Sequence, residues 1–523
     1  MVLTIAELYE RAVRYGGERI AISHGTRSLT YAEIGAAGDR LVAALRSRGI
    51  RRGDRVAFLM ANCMEYVVCE YALAKLGATR VPLAVLLGCE DHVYMLNFAR
   101  CRALIYHEKM LDRVLDMLPK LACVEYFICA GGETEAKLPA GHDRLQDLLK
   151  AHSPDARSAP VDPEEIAGIY FTGGTTGRPK GVMLSHRSWY HTYCMEMLEF
   201  GLGWRETFVF ATPMTHAGGC LLLPVLLRQG RCVVLDHFAP DQMLDTLRTE
   251  RATATLLVPT MIYLLLDHAE RTNASLPALR NVLYGAAPIS PDRLKQAITR
   301  FGPVFTQFFG QTEAPMALTA LQREDHVVAD PVRELEILSC AGRPTYPTTI
   351  RLIDDDGCDV PNGAAGEVIV RSPNMMSGYL DDPEATAAAI HDGWLYTGDV
   401  ARMDGEGLIT IVDRKKDMIV TGGFNVYPRE VEDALFEHPA VRQAAVIGVP
   451  DEKWGEQVKA VVTLREGRRV SAAELIEFVR DRKGSLLAPK SIDFVDTVPL
   501  TNLGKLDKKT LRARYWAGRS RGV

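Results

Sequence analysis

Short aliphatic and β-branched runs recur along this chain, each followed by a turn or by a stretch whose apolar residues fall at helical spacing. VAFLM (56–60), RALIYH (102–107), TFVFATP (207–213), CVVLD (232–236), ATLLVP (254–259) and NVLYGAAP (281–288) read as buried strands. Strand and helix in alternation predict an α/β fold, because an intervening helix lets two strands lie parallel and covers the sheet. No internal repeat and no long low-complexity tract interrupts the pattern. The polar, proline-rich stretch AHSPDARSAPVDP (151–163) reads as a connector.

A chain of 523 residues exceeds what one hydrophobic core supports, so at least two domains are expected. The charged break DRKKD (413–417) separates two β-like segments, GLITIV (407–412) and MIV (418–420). Strand and helix patterns continue through VRQAAVIGV (441–449), VKAVVTL (458–464) and SAAELIEFVRDR (471–482), enough for a small independent domain. The boundary is placed at 413–416, giving an N-terminal domain over 1–414 and a C-terminal domain over 415–523.

Hydrophobic residues make up 47% and charged residues 24%, as in an ordinary globular protein. A net charge of -5 gives no basic stripe for tracking phosphates, so no nucleic-acid partner is expected. The basic tail with Arg512, Arg514, Arg519 and Arg521 reads as solvated. The 11 cysteines include no C-x-x-C pair and no zinc-like spacing, which suits inert thiols in a reducing compartment. The N-terminus lacks the basic start and apolar run of a signal peptide, and no apolar run is long enough to span a bilayer. A cytoplasmic location is expected.

The strongest local signal is YFTGGTTGRPKGVMLSH (170–186). An apolar strand runs into glycines and threonines, then a lysine, then a helix-like segment. Glycines let the backbone curl so that several N–H groups converge on an anion. Thr172, Thr175 and Thr176 add hydroxyls, Gly173, Gly174 and Gly177 supply the bends, and Lys180 adds a positive charge. Such a loop suits a polyphosphate. It is not the kinase and GTPase P-loop, since the glycine spacing differs and no Lys-Ser/Thr pair closes it.

Further segments follow in order: ATPMTHAGG (211–219), YGAAPIS (284–290), QFFGQTE (307–313), GWLYTGD (393–399), DRKKDMIVTGGFNVYPREVE (413–432) and LTNLGKLDKKTLR (500–512). Together with the Gly/Thr loop, this series resembles the adenylate-forming superfamily of acyl-CoA synthetases, peptide-synthetase adenylation domains and firefly luciferase. The resemblance extends from Leu29-Thr30-Tyr31 to Lys505. It implies a large α/β N-terminal domain with a β-barrel-like portion and a small, mobile α+β C-terminal domain. It also implies ATP, magnesium and coenzyme A as cofactor and co-substrates, and it admits a homodimer.

Carried over residue by residue, the resemblance assigns the nucleotide to the Gly/Thr loop, to Gly285, Ala286 and Ala287, and to Phe308, Phe309, Gly310 and Gln311. Thr312 faces the α-phosphate, Glu313 and Thr176 hold magnesium, and Asp399 and Arg414 take the ribose. Lys505 is the catalytic lysine and Lys416 the hinge. Met214, His216, Gly218, Gly219, Ala314 and Met316 line the acyl pocket, with the small residues leaving room for substrate. Gly422, Gly423 and Phe424 flank the thiol tunnel. Physical chemistry agrees with these roles. A carboxylate attacking a phosphate brings two anions together, so positioning and charge neutralisation dominate. Read alone, Glu313 would suit a helix N-terminus and His216 a satisfied core imidazole. Two positions depart from the commonest pattern: Gly174 where serine is frequent, and Phe309 where tyrosine is usual. Neither removes a group that activation of a carboxylate needs.

These features predict a carboxylic acid:CoA ligase. The sequence ends soon after Lys505 with no appended carrier domain, and PMTHAGG lacks the aspartate that holds an α-ammonium in amino-acid-activating relatives. No Arg or Lys stands in the pocket segments to pair a second carboxylate, so an apolar fatty or aromatic acid is expected. Two alternatives remain: loading of a carrier protein, and a luciferase-like oxygenase.

Overall fold

The apolar runs singled out above are strands: Arg55–Leu59, Ala103–His107, Thr207–Phe210, Arg231–Val234, Ala254–Leu257 and Asn281–Gly285. The computed structural model describes residues 2–131, 138–172, 178–422, 424–451, 453–499 and 506–516. The chain forms two compact units, Met1–Thr349 with Arg371–Leu395, and Ile350–Val370 with Tyr396–Val523.

Two helix-flanked sheets build the first unit. In one, Phe305–Gln311, Asn281–Gly285, Ala254–Leu257, Thr207–Phe210, Arg231–Val234 and Ile20–His24 lie in that order and run parallel. The antiparallel strands Ala314–Leu321 and Arg27–Thr30 flank them. In the other sheet, Ile166–Phe171, Thr79–Pro82, Arg55–Leu59, Ala103–His107 and Tyr126–Ala130 are parallel, and Gly181–Ser185 and Gly378–Tyr379 add antiparallel strands. Every residue of Asn281–Gly285 is buried. This explains why such strands read as continuous apolar runs, each buried Val or Leu contributing about 1.5–3 kcal/mol.

Local signals set the helix starts. Thr30 caps Tyr31–Ser47 by a reciprocal pair with Glu33, and Ser471 caps Ala472–Leu487 in the same way with Glu474. The connector over 151–163 carries no regular element once the helix Leu145–Ala151 has ended.

A further five-stranded sheet includes Thr349–Ile353, Ala365–Arg371, Trp394–Met403 and Ile409–Arg414. A tight turn, Lys415–Asp417, then leads to Ile419–Thr421 in a second sheet with Phe424–Val426, Val441–Asp451, Gly455–Leu464 and Ser491–Phe494. The charged break at 413–416 is thus where the second unit passes from one sheet to the other. The reading of the basic tail is corrected at Arg512, which is half-buried and paired with Asp417, because the helix Lys508–Tyr515 packs back onto its own unit. Arg514 is exposed, as a solvated tail residue should be. Arg519 and Arg521 lie outside the described residues. No described helix is long and apolar enough to cross a membrane. All 11 cysteines are free thiols.

Candidate active site

The strands Ile166–Phe171 and Gly181–Ser185 form an antiparallel pair whose connection carries the Gly/Thr loop. The Thr172 N–H donates to the Lys180 carbonyl at 3.0 Å and closes the base of that loop. Gly173, Gly174, Thr175, Thr176 and Gly177 lie outside the described residues. The Lys180 ammonium stands 4.8 Å from the centre of the Tyr379 ring, a cation–π distance. The Tyr379 hydroxyl donates to Glu313 Oε1 at 2.8 Å. One phenol therefore links the cation beside the loop to the carboxylate.

Glu313 owes its place to a hairpin. Phe305–Gln311 and Ala314–Leu321 pair antiparallel with Gln311 opposite Ala314, which leaves Thr312 and Glu313 as a two-residue tip. The alternative of a helix N-terminus is thereby excluded, since a strand follows Glu313. The Glu313 carbonyl is held by the Met376 N–H at 2.8 Å. Along the preceding strand the pleat separates the two rings. Phe308 turns into the core against Phe200, 5.4 Å away, while Phe309, Gly310 and Gln311 keep partial exposure. Gly285, at the end of the neighbouring parallel strand, pairs with Phe308. Ala286 follows with φ 63° and is exposed, and Ala287 is half-buried.

After Thr207–Phe210 the chain makes the loop that carries Met214 and His216. Met214 is buried and His216 exposed. A short helix, Ala217–Cys220, comes next. The expectation that Gly218 and Gly219 leave room for substrate is corrected. A Cβ on Gly218 would lie 2.8 Å from the Thr212 carbonyl oxygen, and one on Gly219 would run into the Met214 carbonyl. The short helix folds back so closely on its own loop that protein backbone fills the space. Ala314 and Met316 are buried on the hairpin's second strand.

The second unit carries the other set. Asp399 and Arg414 face each other on neighbouring antiparallel strands, with Arg414 Nε 2.7 Å from Asp399 Oδ1. Arg414 Nη1 also donates to the Thr397 carbonyl at 3.2 Å. The Asp399 side chain is buried and the Arg414 side chain keeps 43% exposure, so a polar ligand can reach the pair from the arginine side. Lys416 sits in the turn that follows, and burial with the like charge of Arg414 holds its ammonium below the usual range. Gly422 has φ 58° and donates its N–H to the Trp454 carbonyl at 3.0 Å, with the Trp454 ring against its Cα. Phe424 is 60% exposed. Gly423 and Lys505 lie outside the described residues.

Comparison with known proteins decides the family. The AMP-binding enzyme profile matches residues 8–380, and the AMP-binding enzyme C-terminal domain profile matches 430–505. The chain belongs to the AMP-binding enzyme family. It is 39% identical to a medium/long-chain fatty-acid–CoA ligase of Mycobacterium tuberculosis over 95% of this chain and 88% of that protein. It is 36% identical to a feruloyl-CoA synthase of an Amycolatopsis species over 97% and 98% of the two chains. The structure of an amide bond synthetase from Marinactinospora thermotolerans superposes with a TM-score of 0.87 at 34% identity, covering 98% of this chain and 99% of that one. This member of the adenylate-forming superfamily is an enzyme, and its family uses ATP and CoA.

Three residues escaped the sequence reading. Tyr379 links Lys180 to Glu313, and its signal was the Gly-Tyr pair in SGYL (377–380), which no spacing connects to the loop. Asn62 is buried and clamps the acyl loop: its amide donates to the Thr212 and Leu235 carbonyls at 3.0 Å each, and its Oδ1 accepts from the Met214 N–H at 2.8 Å. Trp454, 48% exposed, packs on Gly422 across a sheet that sequence distance conceals.

Proposed function

We propose that this adenylate-forming enzyme is a magnesium-dependent ligase that joins an apolar carboxylic acid, fatty or aromatic, to coenzyme A. In the first half-reaction the acid's carboxylate oxygen attacks the ATP α-phosphorus, the bond to the bridging oxygen breaks, and pyrophosphate leaves. In the second, the CoA sulfur attacks the acyl carbon, AMP leaves, and the thiol proton is released.

The observation that carries this reading is the line from Lys180 through Tyr379 to Glu313. It joins the lysine that follows the Gly/Thr segment in sequence to a carboxylate through one phenol. Glu313 fits magnesium, which takes one or two carboxylates and fills its shell with phosphate oxygens and water. Bound there, magnesium would neutralise phosphate charge. Thr176 is assigned as a second metal contact by the resemblance alone.

Asp399 accepts the ribose hydroxyls while Arg414, already oriented by it, donates to the same sugar. Phe309, turned away from the core, covers the adenine, and Thr312 donates to the α-phosphate. Lys505 supplies the charge that draws the two anions together. The C-terminal domain, 415–523, turns about Lys416 between the half-reactions, and the Gly422 loop with Phe424 and Trp454 flanks the pantetheine arm. Met214, Ala314 and Met316 give the acid an apolar lining, as expected for relatives that act on fatty and feruloyl groups. A cytoplasmic location and a homodimer accompany this reading.

Mass spectrometry of ATP conversion over fatty and aromatic acids, with and without CoA, tests it. The expected product is acyl-CoA, formed only when both acid and CoA are present. Acyl-adenylate that accumulates with every thiol tried would overturn the CoA assignment, and AMP formed without any acid would overturn acid activation.

A further inference from the structure

Two buried carboxyl groups of the first unit have very different surroundings. Glu70, on the helix Glu65–Leu76, accepts from the Tyr9 hydroxyl at 2.8 Å and pairs with Arg80. Arg80 Nη2 also donates to the Tyr193 hydroxyl at 3.3 Å. Glu196 stands one turn beyond Tyr193 on the buried face of the helix His186–Glu199, which also carries Trp189. Neither oxygen of the Glu196 carboxyl has a hydrogen-bond partner among the described residues, and burial holds the group well above the usual carboxylate range. A carboxyl that serves only the core is normally paired, as Glu70 is, because an unpaired one bears its full desolvation cost.

The surroundings of Glu196 open on one side. The short helix Ala217–Cys220, which follows the loop of Met214 and His216, brings the Cys220 thiol close: burial raises that thiol first, and the carboxyl of Glu196 next. Its one hydrogen goes to the His216 carbonyl at 3.8 Å, so it is not available to Glu196. Tyr66 and Tyr170, both raised chiefly by burial, feel the same thiol. Cys220 and Tyr170 nevertheless keep partial exposure. Depth combined with access describes the wall of a cleft and not the outer surface.

We propose that Glu196 marks the far end of the acid-binding cleft and selects acids that carry a hydroxyl remote from their carboxylate. A neutral carboxyl donates through its O–H and accepts through its C=O, so one hydroxyl can satisfy both. An alkyl or bare aryl end would leave both oxygens unpaired. The inference rests on the acid:CoA ligase reading above and narrows its substrate class to apolar acids with one distal hydroxyl.

The test uses the full-length enzyme, Glu196→Leu and Glu196→Gln, with matched pairs of acids: fatty acids with and without a terminal hydroxyl, and cinnamic acid with and without a para hydroxyl. The parent should favour the hydroxylated member of at least one pair in kcat/KM for acyl-CoA formation, on the order of 10- to 100-fold. Glu196→Leu should abolish that preference by losing the hydroxylated acid and keeping the plain one, whereas Glu196→Gln, which still donates and accepts, should hold it to within about threefold. No preference in the parent, a preference that survives in Glu196→Leu, one lost in Glu196→Gln, or an equal loss on both members of a pair would each overturn the inference. Because leucine removes an unpaired carboxyl, Glu196→Leu should also melt a few degrees higher. A variant that melts lower, or does not fold, would show that Glu196 holds the core and would overturn the inference as well. Calorimetric binding of the same acids separates the two levels. If no acid yields acyl-CoA, tighter binding of a hydroxylated acid keeps the role of Glu196 and sinks only the ligase reading, while equal or absent binding sinks that role.

Discussion

Two glycine loops look alike in the sequence and differ in the fold. Gly218-Gly219 ends the acyl-pocket segment, and Gly422-Gly423 follows the hinge. At Gly218 and Gly219 the neighbours are backbone carbonyls of the same loop, so the missing Cβ permits a close turn. At Gly422 the neighbour is the ring of Trp454, a side chain that can move, and φ is 58°. The first loop is rigid because backbone meets backbone. The second is adjustable because backbone meets a half-exposed ring. A glycine thus marks a close approach without saying what approaches.

The largest test of this contrast is Gly219→Ala. Its methyl group meets the carbonyl of Met214, a residue whose N–H donates to the buried Asn62, so the loop itself must shift. Overpacking of this kind costs about 1–3 kcal/mol, and acid-dependent pyrophosphate release should drop on the order of 100-fold as the loop is displaced. Retained activity and an unchanged melting curve would show the loop to be soft. Gly422→Ala should be milder and selective. The ring of Trp454 moves and a left-handed residue acquires a Cβ, at a cost of about 1 kcal/mol. CoA-dependent turnover should fall about tenfold while pyrophosphate exchange holds. If exchange falls equally, the loop does not act on the thiol step.

Acid sharpens the difference between the units. His186 and His326, both in the first unit, are held down to about 4, chiefly by burial. Their neutral forms are favoured by folding, so their contribution is complete above the ordinary imidazole value near 6.5 and is lost as pH falls through about 4. Each should remove roughly 1 kcal/mol per pH unit across that window. Chemical denaturation at pH 7 and 5, followed with His326→Gln, checks the sign: the variant should flatten the dependence, and an unchanged slope would reject it. Smallest is Arg514→Ala, which should stay within about 0.5 kcal/mol of the parent. A larger loss would mean that the exposed edge of the last helix is anchored too.

Much of the fold was legible. A strand buried on both faces must be apolar throughout, so Asn281–Gly285 and Thr207–Phe210 announced themselves without any partner in view. Capping residues such as Thr30 and Ser471 act within one turn and are equally local. The candidate site was legible through the resemblance, which singles out Lys180, Glu313, Asp399 and Arg414; the structure brings Lys180 and Glu313 to one ring and Asp399 to Arg414. Tyr379 was not, because it meets Lys180 and Glu313 only after Gly378–Tyr379 pairs with Gly181–Ser185, a strand far back in the sequence.

By itself, then, the sequence determined the α/β class, the order of the motifs and the chemistry they can carry, since periodicity, turn residues and charge type are properties of neighbours along the chain. Only the tertiary structure decided that Glu313 tips a hairpin, that Phe308 belongs to the core and Phe309 does not, that backbone carbonyls crowd Gly218 and Gly219, and that Lys508 pairs with Glu432 and Arg512 with Asp417. Each of those facts depends on which distant backbone passes within van der Waals or hydrogen-bond range, and that is settled by packing across the sheets.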